Sequence, residues 1–221
     1  MAAITAKMVS DLRAKTGCGM MECKKALTEA GGDFDEAVKV LREKGLSVAA
    51  KKADRIASEG IVDILLSDDK HTAAMIEVNA ETDFVAKNEE FIEFVEDLAK
   101  EVLVKGNMPM EQFMAEPFGE GTVQETLTAK VAKIGENLSI RRFAKVEEDG
   151  VVYVGYTHGG GRIGVIVGIK TDAAADEIAA VGKDVAMQVA SMNPKFVNED
   201  GVDPEYLENE KKILTEQVLN E

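Results

Sequence analysis

The stretch IVDILLSDDKHTAAMIEV, residues 61–78, decides the fold class of this chain. Both of its ends are rich in β-branched and apolar residues, and the polar residues 67–70 separate them. Two such runs joined by a short polar turn are typical of an antiparallel β-hairpin. We therefore predict strands over residues 61–66 and 72–78.

A strong amphipathic helix is predicted after this hairpin, from about residue 89 to residue 104. Asn88 is its expected N-cap, and apolar residues recur three or four positions apart behind it. The predicted inward face consists of Phe91, Val95, Leu98 and Val102. Because an antiparallel hairpin has one apolar face, we expect this helix to cover it.

The same order of elements recurs later in the chain. Three β-type runs are predicted, at residues 142–147, 151–156 and 163–169. A helix over residues 174–192 follows, and its predicted inward face consists of Ile178, Val181, Val185 and Val189. Strand, turn, strand and helix thus occur twice, which predicts an α+β fold with two similar subdomains, residues 61–140 and 141–200.

Helices are predicted at both ends of the chain as well. Residues 1–45 indicate a bundle of three short helices, with Thr5 and Asp33 as N-caps and with Gly17 and Gly45 as two of the helix breaks. Residues 46–60 are then expected to form a partly helical linker. The last predicted helix lies in residues 201–221, where an Asp-Pro pair precedes a narrow apolar stripe formed by Leu207, Leu214 and Val218.

The charge balance excludes some functions. The 221 residues contain 41 Asp and Glu against 26 Lys and Arg, a formal net charge of −15. Such an acidic surface repels phosphate backbones and anionic lipids, so we expect no direct binding of nucleic acid or membranes. No apolar run approaches the roughly 20 residues that span a bilayer, and residues 1–10 contain no signal-peptide core. The sequence therefore predicts a cytoplasmic protein.

Few residues suggest an enzyme. The two histidines, His71 and His158, lie far apart, and Cys18 and Cys23 have the spacing of neither a redox pair nor a zinc site. Residues 159–164 satisfy GxGxxG, but a β-type run follows them where a dinucleotide site needs a helix. This pattern favours a glycine-rich hairpin turn, and we expect no cofactor or metal. An enzyme that uses His158 remains an alternative.

Two apolar features stand out at positions where polar residues are usual. Phe84 and Val85 lie between a predicted strand and a helix, where Phe84 is either a hydrophobic staple or an exposed aromatic side chain that inserts into a partner. Met20 and Met21 are adjacent at the start of the second helix and cannot both face one core. Exposed methionines are common on adaptable protein-binding surfaces.

Four segments together resemble the elongation factor Ts family, the nucleotide exchange factors of bacterial elongation factor Tu. They are ITAKMVSDLRAKTGCGMMECKKAL (residues 4–27), VNAETDFVAK (78–87), VAKIGENLSIRR (131–142) and HGGGRIGV (158–165). The strings TGCGMMECKKAL and TDFV are specific, and all four segments occur in the order that the family shows.

The resemblance implies a ubiquitin-associated-like bundle at residues 1–45, the N- and C-subdomains of a core, and the start of a coiled-coil arm at residues 201–221. It also implies the partner, GDP-bound elongation factor Tu, and is compatible with a homodimer within a heterotetramer. Asp83 and Phe84 match the wedge that disturbs the Mg²⁺ and phosphate site of the partner. The other implied contact residues are Leu12, Met20, Met21, Ile134, Gly135 and His158.

Many members of the family continue beyond the point where this sequence ends. The C-subdomain is therefore expected to be incomplete, in either a fragment or a shorter variant. A ubiquitin-associated-like adaptor without exchange activity stays open as an alternative function.

Overall fold

The computed structural model describes residues 4–16 and 18–220. Its first elements are α1 (Ala6–Thr16), α2 (Met20–Glu29), α3 (Phe34–Lys52), β1 (Glu59–Leu66), β2 (Thr72–Ala80), α4 (Asp83–Ala86), α5 (Glu89–Lys105) and α6 (Met110–Ala115). They are followed by β3 (Pro117–Phe118), β4 (Gly121–Thr122), α7 (Val123–Ile134), β5 (Leu138–Glu147), β6 (Val151–His158), β7 (Ile163–Lys170), α8 (Ala175–Met192) and α9 (Pro204–Leu219). This order confirms the predicted α+β class.

Helices α1 to α3 form a small bundle with its own core. The predicted N-caps are confirmed, because Thr5 Oγ1 accepts a hydrogen bond from the Met8 amide at 3.2 Å and Asp33 accepts one from the Glu36 amide at 2.8 Å. The buried residues of the bundle are Val9, Leu12, Cys23, Ala26, Leu27, Ala37 and Leu41. Gly17, one of the predicted helix breaks, lies outside the described residues.

The prediction that Gly45 ends the third helix is wrong, because α3 continues to Lys52. Gly45 is buried where α3 packs on α7, and a Cβ atom there would lie 3.7 Å from Cβ of Ala132. Glycine in a helix interior costs roughly 1 kcal/mol, which the contact with α7 offsets. Residues 46–52 of the predicted linker therefore belong to a helix that connects the bundle to the core.

The largest core lies on one face of a three-stranded antiparallel sheet with the order β1-β2-β5. Helix α5 covers this face with the predicted residues, since Phe91, Val95, Leu98 and Val102 are all fully buried. Asn88 caps α5 as predicted, by accepting hydrogen bonds from the amides of Glu90 and Phe91. The same core contains Ile76 and Val78 of β2 and Val123, Leu127 and Val131 of α7.

Strand β5 belongs to this first sheet, although residues 142–147 were expected to open the second copy of the repeat. It pairs with β2 in a register that places Leu138 opposite Ala80 and Ile140 opposite Val78. Both of these β5 side chains are buried in the core under α5, which explains the pairing. The boundary proposed after residue 140 therefore falls inside β5.

The second hairpin, β6-β7, lies between the first sheet and α8. On one side its glycines allow close contact with β1, since a Cβ atom on Gly155 or Gly164 would lie within 2.8 Å of the Ile64 or Val62 side chain. On the other side α8 packs against it. Gly159, Gly160 and Gly161 have positive φ angles in the connecting turn, which confirms a glycine-rich hairpin turn.

Helix α8 contacts the hairpin through only part of the predicted face. Ile178 and Val189 are half-buried as expected, but Val181 and Val185 are 62% and 43% exposed, whereas Gly182 and Ala186 are buried. The small residues let the helix axis approach the strands closely, because a Cβ on Gly182 would lie only 2.5 Å from Cγ2 of Val154. Apolar periodicity predicted the helix but not this rotation about its axis.

The last helix begins as predicted, with Asp203 as N-cap and Pro204 in its first turn. Its predicted apolar stripe, Leu207, Leu214 and Val218, is exposed. Within the described residues, no helix has the length and apolar character needed to cross a bilayer.

Candidate protein-binding surface

The side chain of Phe84 projects from α4, a single helical turn between β2 and α5. It is 82% exposed, so the interpretation of Phe84 as a hydrophobic staple is wrong. The next two residues behave differently, because Val85 packs against the core and Ala86 is buried in it. The turn is therefore fixed on its inner side and presents an aromatic ring on its outer side.

Asp83 stands beside this ring and is paired with Lys87. Its Oδ2 lies 2.6 Å from Lys87 Nζ. The hydrogen bond and the positive charge of Lys87 hold the pKa of Asp83 below its ordinary value, and the more distant charge of Arg162 acts in the same direction. Asp83 therefore presents an ionised carboxylate at neutral pH.

Glu136, which lies between α7 and β5, holds the start of α4 by two hydrogen bonds. Its Oε2 accepts a hydrogen bond from the Thr82 amide at 3.0 Å, and its Oε1 accepts one from the Thr82 hydroxyl at 2.7 Å. Thr82 Oγ1 in turn accepts a 3.4 Å hydrogen bond from the Val85 amide and so caps α4. The carboxylate thus supports the N-cap of the turn that presents Phe84.

A second carboxylate makes the reciprocal contact. Glu81 Oε1 accepts a hydrogen bond from the Asn137 amide at 2.6 Å. The side-chain amide of Asn137 donates to the carbonyls of Ala53 and Arg55, at 3.3 and 2.8 Å. These bonds connect the segment after α3 with both strands.

The register of the sheet explains why these residues meet. Ala80 and Leu138 form the last backbone pair of β2 and β5. Beyond this pair, the side-chain carboxylates of Glu81 and Glu136 take the place of backbone carbonyls. Each accepts a hydrogen bond from the segment that adjoins the other strand. We call Glu81, Thr82, Glu136 and Asn137 the strand-end clamp.

Gly135 makes the clamp possible. It ends α7 in the left-handed conformation, with φ +85°, which a residue with a side chain adopts only with strain. Its carbonyl accepts a hydrogen bond from Lys52 Nζ at the end of α3. Ile134, the preceding residue, is half-buried against the core. Ile134 and Gly135 thus directly precede Glu136, which binds Thr82 at the start of the turn that contains Phe84.

The predicted contact residues of the bundle divide into two groups. Met20 and Met21 are 53% and 64% exposed at the start of α2. Leu12 is fully buried in the bundle core and has no surface to offer a partner. Leu12 therefore supports the bundle, and the two methionines form its exposed apolar surface.

His158 lies at the exposed end of β6, beside the glycine-rich turn. Its Nδ1 is 2.7 Å from the Tyr156 hydroxyl. The turn itself is attached to β1 by a 2.7 Å hydrogen bond from the Val62 amide to the Gly161 carbonyl. Arg162, at its end, pairs with Glu59 at 3.3 Å.

An open cleft of about 830 Å³ lies between this turn and the part of the sheet that contains Glu77, Arg141 and Arg142. Glu77 of β2 lines it and pairs with Arg141 at 2.9 Å and with Arg142 at 2.7 Å. Burial raises the pKa of Glu77, but the hydrogen bonds from Arg142 and Arg141 outweigh it and hold the pKa below its ordinary value. The charges lining the cleft are thus paired with one another.

Sequence reasoning found Asp83 and Phe84 but missed the strand-end clamp. In the sequence, residues 133–137 have the pattern of a helix end followed by an ordinary turn. A register prediction for β2 and β5 would have revealed the clamp, because continuing the antiparallel pairing beyond Ala80 and Leu138 places Asn137 opposite Glu81 and Glu136 opposite Thr82.

Comparison with known proteins gives a consistent result. Residues 81–221 match the family model described as Elongation factor TS. A protein of Clostridioides difficile (strain 630) named Elongation factor Ts is 56% identical over 222 residues, which cover 100% of this chain and 73% of that relative. One of Clostridium novyi (strain NT) with the same name is 50% identical over 221 residues, or 99% of this chain and 72% of the relative.

These matches, together with the α+β fold, define the class of the protein as a translation elongation factor. Within that class, the chain belongs to the elongation factor Ts family.

Proposed function

We propose that this chain binds the GDP-bound form of elongation factor Tu and accelerates the release of GDP. Asp83 and Phe84 act as a wedge that disturbs the Mg²⁺ and phosphate site of the partner. The observation that supports this role best is the 82% exposure of Phe84 on a turn that the strand-end clamp holds in place.

The energy available from Phe84 is sufficient for a large kinetic effect. Burying a phenylalanine side chain contributes roughly 1.5–3 kcal/mol. Each ~1.4 kcal/mol removed from a barrier increases a rate about tenfold. Phe84 alone thus accounts for about one to two orders of magnitude in GDP release, and the rest of the interface supplies the remainder.

An exchange factor needs no nucleophile, general base or cofactor of its own, because it catalyses a dissociation. The two binding equilibria on the partner are linked. The exchange factor lowers the affinity of the partner for nucleotide, and nucleotide lowers the affinity of the partner for the exchange factor by the same ratio. The factor therefore leaves again once fresh nucleotide has bound to the partner.

The further proposed contacts are distributed over the bundle and the core. Met20 and Met21 contribute an apolar surface on α2, and Ile134, Gly135 and His158 contribute contacts from the core. Leu12 is assigned to the packing of the bundle because it is fully buried. The net charge of −15 suits a protein partner better than RNA.

Release of a fluorescent GDP analogue from elongation factor Tu tests the proposal. Phe84→Ala is expected to slow the stimulated release by about 10- to 100-fold, because the buried aromatic area is lost. Val104→Ala is the matched control, since Val104 is 80% exposed on α5 and has no proposed contact. If the Phe84→Ala variant accelerates GDP release from elongation factor Tu as much as the unmodified chain does, the wedge is excluded.

The exposed Met20 and Met21 also suit an adaptor without exchange activity. The same measurement separates the two functions. An adaptor would bind its partner without accelerating GDP release, and Phe84→Ala would change neither property.

A further inference from the structure

We infer that Glu136 is a positioning residue that orients the Asp83-Phe84 turn through Thr82. This inference rests on the proposed function, and it adds a residue that is not among the proposed partner contacts. It follows from how the turn is held in place.

Helix α4 cannot hold its own conformation. It contains only four residues, from Asp83 to Ala86, whereas isolated helices shorter than about 12 residues are marginal in water. The Phe84 ring is 82% exposed, so packing of the ring fixes its direction little. The orientation of Phe84 must therefore come from the cap before the turn and from the buried side of the turn.

The cap is under the control of Glu136. A threonine hydroxyl has a single proton, and in Thr82 this proton is directed to Glu136 Oε1 at 2.7 Å. The oxygen lone pairs of Thr82 are then free to accept from the Val85 amide. Because the acceptor is a carboxylate, its hydrogen bonds are stronger than those to a neutral group.

Glu136 is itself held by its neighbours. Gly135 reverses the chain in the left-handed conformation, and Leu138 begins the pairing of β5 with β2 two residues later. Glu136 thus links the end of α7, where Ile134 and Gly135 lie, to the turn that presents Phe84. The two groups of proposed partner contacts are expected to move as one unit.

The mobility of residue 84 can be measured without any partner. The chain contains no tryptophan, so Phe84→Trp introduces a single indole whose fluorescence anisotropy decay reports the motion of this side chain. Adding Glu136→Ala is expected to increase the amplitude of the fast local component about twofold, because the cap loses its acceptor. Equal decays with and without Glu136 would overturn the inference, whatever the outcome for exchange.

Glu125→Ala is the matched control for this experiment. Both glutamates are associated with α7. Glu136 lies just beyond its C-terminal end, whereas Glu125 lies in its first turn, where it completes a capping box and pairs with Arg42. The Glu125→Ala substitution weakens α7, but Glu125 itself makes no contact with the turn that presents Phe84. An equal increase in local motion for Glu125→Ala would show general loosening and would count against positioning by Glu136.

A double-mutant cycle on GDP release provides the second readout. Glu136→Ala is expected to lower the maximum stimulated rate about 3- to 10-fold in the unmodified chain. In the Phe84→Ala background it should change the rate by less than about twofold, because the residue acts only through Phe84. A merely structural role would slow release equally in both backgrounds.

A conservative substitution keeps the test valid if Glu136→Ala unfolds the chain. Glu136→Gln retains the size of the side chain and one carbonyl acceptor, so its anisotropy decay and its release rate should lie between those of the unmodified chain and Glu136→Ala. Values equal to those of the unmodified chain would contradict a need for the carboxylate. If the unmodified chain fails to accelerate GDP release while the anisotropy result holds, the proposed exchange function fails and the positioning of Phe84 stands.

Discussion

Exposure alone does not distinguish Phe84 at the scale of single residues. Ile56 and Val104 are 84% and 80% exposed, and scattered apolar side chains are normal on protein surfaces. What distinguishes Phe84 is the hydrogen bonding around it. Thr82 and Glu136 hold the adjacent backbone, and Asp83 is ionised beside the ring. An apolar ring held in a defined direction loses less entropy when it binds.

Two glycines in helix interiors should respond oppositely to alanine. Gly45→Ala is expected to stabilise the chain by roughly 0.5–1 kcal/mol, because alanine favours a helix and the new Cβ would make an ordinary 3.7 Å contact with Ala132. Gly182→Ala is expected to destabilise it by about 1–3 kcal/mol, since its Cβ would lie 2.5 Å from Cγ2 of Val154. Urea unfolding of both variants measures the two effects.

Each glycine variant is the control for the other, because the chemical change is identical. A shift of both midpoints in the same direction would contradict the packing of α3 on α7 or of α8 on β6. Equal m-values would show that stability has changed and not the denatured state.

At the scale of elements, local signals were predictable and tertiary ones were not. The caps Thr5, Asp33, Asn88 and Asp203 depend on a few neighbouring residues, and all four act as predicted. The end of α3, the buried face of α8 and the pairing of β5 depend on contacts with distant segments. Propensity and periodicity carry no information about those contacts.

The candidate surface shows the same division. The Asp-Phe pair is visible in the sequence because an aromatic residue is unexpected in a polar connection. Glu136 is separated from Thr82 by 54 positions, and a glutamate after a helix C-cap is unremarkable. Only the register of β2 with β5 brings the two together.

Glu77 connects these two strands at an irregularity of the ladder and should make their stability pH-dependent. Its pKa is lowered in the folded chain, so its contribution is fully present above its unfolded pKa of about 4.3 and is lost as the pH falls through the folded value. Glu77→Gln is expected to cost about 1–2 kcal/mol at pH 7, and the difference from the unmodified chain should be smaller at pH 3, below the unfolded pKa.

Urea unfolding at both pH values measures this effect. Glu148→Gln is the control, because Glu148 pairs with Lys170 across an exposed 3.5 Å contact and should change stability little at either pH. A Glu77→Gln deficit of the same size at pH 3 would show that the charge of Glu77 is not its source.

At the scale of the whole molecule, α3 makes the bundle and the core one body. Arg42 pairs with Glu125 at one end of α7, Gly45 packs on Ala132 along it, and Lys52 donates to the Gly135 carbonyl at its other end. Contacts along the full length of α7 leave little freedom for a hinge. We therefore expect the methionine surface and Phe84 to meet a partner in a fixed relation.

This arrangement predicts separate kinetic roles for the two surfaces. Met20→Ala with Met21→Ala should raise the concentration of the chain that half-saturates GDP release about 5- to 30-fold, with the maximum rate unchanged, because apolar contact area is lost equally in the ground and transition states. Phe84→Ala should chiefly lower the maximum rate. Met192→Ala, 67% exposed on α8, is the matched control. If the methionine variant lowers the maximum rate as Phe84→Ala does, the bundle takes part in the displacement of nucleotide. If neither variant changes the stimulated release, neither surface takes part in the exchange.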